Sequence, residues 1–87
     1  MKVRVWKPTE EEVLKAKKWP TWEKEESDFD WYYDEPEQFY LIEGEVEVTL
    51  DDGTRVSFGA GDMVRFDSGV SCTWNVKRYV RKHYNFG

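Results

Sequence analysis

From Thr21 to the C-terminus, apolar and polar residues alternate with a period of two, broken by short clusters of Gly, Asp, Pro and Ser. That period puts successive side chains on opposite faces of a strand. Phe29, Trp31 and Tyr33 share one face, with Asp28, Asp30 and Tyr32 on the other. Asp34-Glu35-Pro36 reads as a turn. Glu37, Phe39 and Leu41 share a face of the next strand, and Gly44 is expected to break it. Val46, Val48 and Leu50 then alternate with Glu45, Glu47 and Thr49. Asp51-Asp52-Gly53 is a hairpin signal, because Gly53 accepts positive φ. Val56 and Phe58 alternate with Arg55 and Ser57 on the return strand. Gly59-Ala60-Gly61-Asp62 turns again, Val64 and Phe66 mark a strand, and Asp67-Ser68-Gly69 turns once more. Val70, Cys72, Trp74 and Val76 share a face. A last strand groups Val80, Lys82, Tyr84 and Phe86, with Tyr79, Arg81, His83 and Asn85 opposite.

The N-terminus follows other patterns. Val3 and Val5 alternate with Lys2, Arg4 and Trp6, which predicts a short edge strand over residues 1–7 whose charges discourage stray pairing. Pro8 ends it. Thr9-Glu10-Glu11-Glu12 is a capping box, so a helix is expected from Thr9 to about Lys18, with Val13, Leu14 and Ala16 toward the body. Trp19-Pro20 stops it. Many short strands, regular turns and no helix between strands exclude a βαβ fold. They leave an all-β, antiparallel sandwich or barrel with one short N-terminal helix.

Composition then narrows the functional classes. Eighty-seven residues allow one domain, and a chain this short needs a dense core or a partner. Five Trp, five Tyr and five Phe supply dense material. The net charge of −5 argues against a nucleic-acid partner or an anionic membrane surface. Lys77, Arg78, Arg81 and Lys82 form only a small basic cluster. A single cysteine excludes an internal disulfide and permits a reducing compartment. The N-terminus lacks a signal-like apolar run and no stretch is long enough to span a bilayer, so a soluble, cytoplasmic protein is expected. Abundant Glu and Lys beside few amides (Gln38, Asn75, Asn85) resemble thermophile composition.

Two stretches carry a family resemblance. Glu37-Gln38-Phe39-Tyr40-Leu41-Ile42-Glu43-Gly44 resembles the end of the first cupin motif, with a glutamate seven residues before a glycine. Gly61-Asp62, continuing through Gly69 to Cys72, resembles the second. With Trp31-Tyr32-Tyr33 and Val80-Arg81-Lys82-His83-Tyr84, the chain is similar to small single-domain cupins grouped with the cupin domain of ureidoglycine aminohydrolase. The resemblance covers about residues 22–87. It implies a jelly-roll barrel and says little about activity, since cupins host many chemistries. Metal-binding cupins use two histidines and a glutamate in the first motif and a histidine in the second. Here the histidine positions fall on Trp31, Tyr33 and Cys72, and Asp67 replaces the second motif's proline. Only Glu37 is kept. No cofactor is therefore predicted, and a divalent metal is disfavoured, with Glu37 and Cys72 its only candidate ligands.

The candidate site follows from residues pointing inward. Glu37 among aromatic rings loses solvation and suits proton transfer; the plain alternative is a carboxylate bonded to a tyrosine or lysine. Cys72 is either a nucleophile or soft ligand, or a buried space-filler. Lys82 on an apolar face needs a carboxylate, plausibly Glu37, or must lose its proton; otherwise its ammonium snorkels to the rim. Trp31 and Tyr33 form either a stacking wall for a planar ligand or part of the core. Phe39, Trp74 and Tyr84 complete the substrate-binding candidates. His83 points away from Cys72 and reads as a surface or interface residue. Arg55 and Arg65 read as outer-face charges.

The expected molecule is a single cupin domain over residues 1–87. A barrel of six to nine strands spans residues 21–87, and the N-terminal strand and helix (residues 1–20) wrap outside it. Glu37, Cys72, Lys82, Tyr33 and Trp31 would line one small pocket. A homodimer is expected, with the N-terminal strand swapped or extending the sheet. Three functions remain open. One is an enzyme on a small polar ureido, amino or acidic substrate, using Glu37, Cys72 and Lys82. The second is a non-catalytic small-molecule binder. The third is a structural module whose rings fill the pocket.

Overall fold

Two long strands organise the chain. In the computed structural model, which describes residues 2–87, these are β4 (Glu37–Leu50) and β7 (Ser71–Phe86). Met1, the start of the expected first strand, lies outside the described residues. The other elements are β1 (Val3–Trp6), α1 (Glu10–Ala16), β2 (Thr21–Lys24), β3 (Ser27–Tyr32), β5 (Arg55–Gly59) and β6 (Met63–Phe66). The sheet is antiparallel, with order β1-β6-β4-β7-β2; β5 adds to β4 and β3 adds to β7. This is an antiparallel β-sandwich, one of the two architectures that the alternation leaves open.

Each long strand serves two halves. The free edge of β4 takes β6 over Glu37–Tyr40 and β5 over Glu45–Thr49. The free edge of β7 takes β3 over Ser71–Val76 and β2 over Val80–His83. The switch falls where the β4–β7 register shifts, between Leu41 and Val46. Gly44 sits there at φ 111°, and a Cβ on it would stand 2.7 Å from Tyr79 O and Val80 Cα. Only glycine fits so close a backbone approach. Gly44 therefore bends β4 without breaking it, contrary to the expected break. A glycine bulge lets one strand turn the corner of a sandwich. The predicted last strand likewise joins the stretch before it, because β7 runs unbroken through both.

The inward residues form one core. Phe39, Leu41, Val46, Val48, Leu50, Phe58, Val64, Phe66, Val70, Trp74, Val76 and Val80 are buried together. Phe66 and Trp74 link its rings: Phe66 has centroids 4.6 Å from Tyr33, 6.0 Å from Trp74 and 6.1 Å from Phe39, and Trp74 lies 5.6 Å from Phe58. Each such ring, fully buried, contributes about 1.5–3 kcal/mol.

The N-terminal segment is tied into this body. The capping box forms as predicted: Thr9 Oγ1 accepts from Glu12 N, and Glu12 Oε1 accepts from Thr9 N. Strand β1 pairs with β6 at the sheet's end, and Val3 enters the core, so this strand completes the sheet instead of wrapping outside. The helix buries Ala16 and leaves Leu14 59% exposed, contrary to the expectation for Leu14. A seven-residue helix turns only one narrow face inward, and two residues of offset point away from it.

Candidate functional site

The register of β7 gathers the site. Trp22 lies opposite Lys82, Phe29 opposite Trp74, and Phe39 opposite Tyr84. Glu37 opens β4 opposite Phe86. Because Glu37, Phe39 and Leu41 face inward, Lys82, opposite Leu41, can reach past Phe39 toward Glu37. Its Nζ stands 4.0 Å from the Phe39 ring centroid and donates to Glu37 Oε2 at 2.8 Å. The rings of Trp74 and Trp22 flank the ammonium at 4.7 and 4.8 Å. Glu37 is 3% exposed and Lys82 5%. Burial pushes the Lys82 ammonium below the usual lysine range, and the Glu37 charge works against that shift.

Above the pair lies a cavity of about 180 Å³. Rings of Trp22, Phe29, Trp31, Tyr33, Trp74, Tyr84 and Phe86 wall it, and Glu37 and Lys82 are its only charged groups. The rings thus enclose space and do not fill it. Tyr33 is buried, and burial followed by the nearby Glu37 carboxylate holds its phenol protonated well above the usual range. Trp31 is 48% exposed at the mouth. The Trp74 indole Nε1 is buried and finds no acceptor among the described residues.

The sequence-derived candidates separate at this point. Glu37, Lys82, Trp31, Tyr33, Trp74 and Tyr84 line one cavity. Phe39 lies fully buried beneath the lysine and forms its support, outside the cavity lining. Cys72 is not with them. It lines a more open depression with Asp30, Trp31, Tyr32, Asp51 and Thr73, so the expected single pocket is two. Cys72 shares a face with Trp74, but it sits one pleat repeat, roughly 7 Å, farther along the strand. Its thiol faces the Trp31 carbonyl oxygen at 3.5 Å. Burial, aided by Asp30 and Asp51 and opposed by the Trp74 indole, pushes it up to about 11. His83 Nδ1 lies 2.9 Å from the Trp19 carbonyl. Since a carbonyl only accepts, Nδ1 carries the proton there.

Trp22, Phe29 and Phe86 are site residues that the candidate set lacked. The alternation did put Phe29 beside Trp31 and Phe86 beside Lys82. Trp22 required the β2–β7 register, which no local pattern supplies.

The donor set does not fit a divalent metal. The histidine positions of the metal-binding motif hold Trp31, Tyr33 and Cys72, and Glu37 is engaged by an ammonium. Among the described residues no three His, Cys, Asp or Glu side chains converge.

Residues 11–84 match the family model described as the EutQ-like cupin domain. A DUF861-family protein from Thermotoga maritima is 50% identical and superposes with TM-score 0.94, over 98% of this chain and 99% of that one. The EutQ protein of Clostridium difficile is 29% identical with TM-score 0.69, over 76% of this chain and 52% of that one. A DUF861-family protein of unknown function from Pseudomonas syringae pv. tomato is 29% identical with TM-score 0.70, over 77% of this chain and 29% of its own. No curated protein matches the chain. Among the described residues no helix is long and apolar enough to cross a membrane.

Proposed function

Since this chain belongs to the EutQ-like cupin domain family, we propose that its pocket binds one small, planar, polar molecule over the Glu37–Lys82 pair. The observation that carries this reading is a buried ion pair at the base of an aromatic cavity. The pair offers a donor and an acceptor side by side: the ammonium has two further N–H groups, and the carboxylate has a second oxygen. An amide, a ureido group or a neutral carboxylic acid presents the complementary pair. The rings supply stacking faces. Size sets a limit. A cavity of about 150 Å³ takes benzene, so about 180 Å³ admits a single ring or its equivalent. It is smaller than the roughly 300–1,000 Å³ of drug-sized sites.

A thermal-shift screen of small amides, ureas and single-ring carboxylic acids tests the reading. The expected hit raises the melting temperature of the wild type and has no such effect on Glu37→Gln or Lys82→Met. If no class shifts it at millimolar concentration, or the shift survives in both variants, the reading is wrong.

One observation favours a catalytic version. Burial eases proton loss from the Lys82 ammonium, and the carboxylate 2.8 Å away can take that proton, so the pair can give a proton to a bound group and take one back. Cys72 has no part in this version, because a thiol pushed up to about 11 is a poor nucleophile at neutral pH and its depression is a different one. Turnover of any hit that persists in Cys72→Ser and vanishes in Lys82→Met would support catalysis by the pair.

A further inference from the structure

We infer that Glu37 and the rings around it form a receptor for a primary ammonium ion, and that Lys82 occupies it permanently as a tethered cation. A carboxylate at 2.8 Å and three aromatic faces at 4.0, 4.7 and 4.8 Å surround one Nζ. An anion combined with several ring faces is the chemistry that recognises alkylammonium ions. The surround suits an organic cation better than a metal. Rings give a soft, delocalised field, whereas a divalent ion needs several oxygen, nitrogen or sulfur donors, and Glu37 is the one carboxylate, thiol or imidazole among the described residues that line this cavity. The tether keeps the local ammonium concentration far above that of any free amine. The carboxylate is thereby neutralised without recourse to metal supply, and the cavity above can take a neutral ligand. The inference concerns the pair itself and does not depend on what occupies that cavity.

The experiment cuts the tether. Lys82→Ala removes three carbons and the nitrogen, the atoms of n-propylammonium. The variant is expected to melt well below the wild type. Tens of millimolar n-propylammonium chloride should raise its melting temperature by about 5 °C more than sodium chloride of equal ionic strength. The wild type and the double variant Glu37→Gln/Lys82→Ala should show no difference between the two salts. Equal effects of the two salts on Lys82→Ala, or an equal response of the double variant, would overturn the inference. So would stoichiometric zinc uptake by Lys82→Ala in preference to the amine.

Lys82→Met keeps the volume of the tether, so it tests the same point should Lys82→Ala not fold. Removing the cation leaves a bare buried carboxylate. Adding Glu37→Gln to Lys82→Met should then recover at least half of the lost melting temperature, and no recovery overturns the inference. Failure of the ligand screen leaves both outcomes intact, so the two readings can fail separately.

Discussion

The cavity over Glu37 and the depression beside Cys72 share Trp31 as a wall, yet their chemistry differs. The first is ring-lined and closes on two opposite charges that satisfy each other. The second is open and bordered by Asp30, Asp51, Ser71 and Thr73, and its thiol is held protonated by burial and nearby carboxylates. Both draw on the inner face of β7, at Trp74 and Cys72. Facing inward is therefore not enough to make two residues one site. Position along the strand decides which groups meet: Cys72 lies one pleat repeat beyond Trp74, and that step takes it out of the cavity that holds the ion pair.

The comparison is easiest to break at the pair. Removing one partner of a buried, hydrogen-bonded ion pair costs about 3–5 kcal/mol, because the other charge stays buried. Glu37→Gln strands the Lys82 ammonium among three rings and should cost that much. In a chain of 87 residues each kcal/mol corresponds to about 4–8 °C of melting temperature. Cys72→Ala removes one polarizable atom from a shallow site and should cost about 1 kcal/mol. Denaturant titration of both variants, with unchanged slopes, measures the difference. Equal losses would mean that the ion pair contributes no more than ordinary packing.

Alkaline pH gives Lys82 and Cys72 opposite signs. The folded-state pKa of Lys82 is lowered, so between that value and 10.5 the unfolded chain binds more protons and stability rises with pH. That contribution is present above 10.5 and lost as pH falls through the folded value. Cys72 is raised from 9.0 to about 11, so the folded chain binds more protons in that window. Its contribution is complete below 9.0 and lost as pH rises toward 11. Tyr33, also raised, adds a loss above 10. Melting curves from pH 8 to 11 should therefore decline less steeply in Cys72→Ala than in the wild type, and more steeply in Lys82→Met. Thiol alkylation of the wild type should follow a midpoint near 11, and a midpoint near 9.0 would show a solvated thiol.

Much of this architecture is legible in the sequence because a half-buried strand writes its face at every second residue. The alternation groups Glu37, Phe39 and Leu41, then Val46, Val48 and Leu50, then Cys72, Trp74 and Val76 on shared faces, and all are buried. Two kinds of information are missing from that pattern. The first is the role of a glycine. Gly44 in a bulge and Gly53 in a hairpin both take positive φ, and only the approach of β7 at Tyr79 and Val80 distinguishes them. The second is register. Lys82 beside Glu37 could be proposed because an inward lysine needs a counter-charge. Trp22 beside Lys82, and Cys72 apart from both, depend on which rung of β7 each neighbour meets. Leu14 shows a smaller gap of the same kind: apolar character named a helix residue without naming its side.

Trp31 provides the finest test, since it belongs to both sites and is half exposed. Trp31→Ala should cost about 1–2 kcal/mol, less than the loss at the ion pair, because about half of the side chain is already exposed. Its effects on the two sites should diverge. The cavity loses a stacking wall, so any ligand shift found for the wild type should shrink. The depression loses the ring beside the thiol while the backbone carbonyl facing Sγ stays, so alkylation of Cys72 should speed up several-fold with its midpoint still near 11. A midpoint that falls toward 9.0 in this variant would mean that the indole ring, and not the surrounding strands and carboxylates, holds the thiol protonated. The two depressions would then act as one site divided by a single side chain.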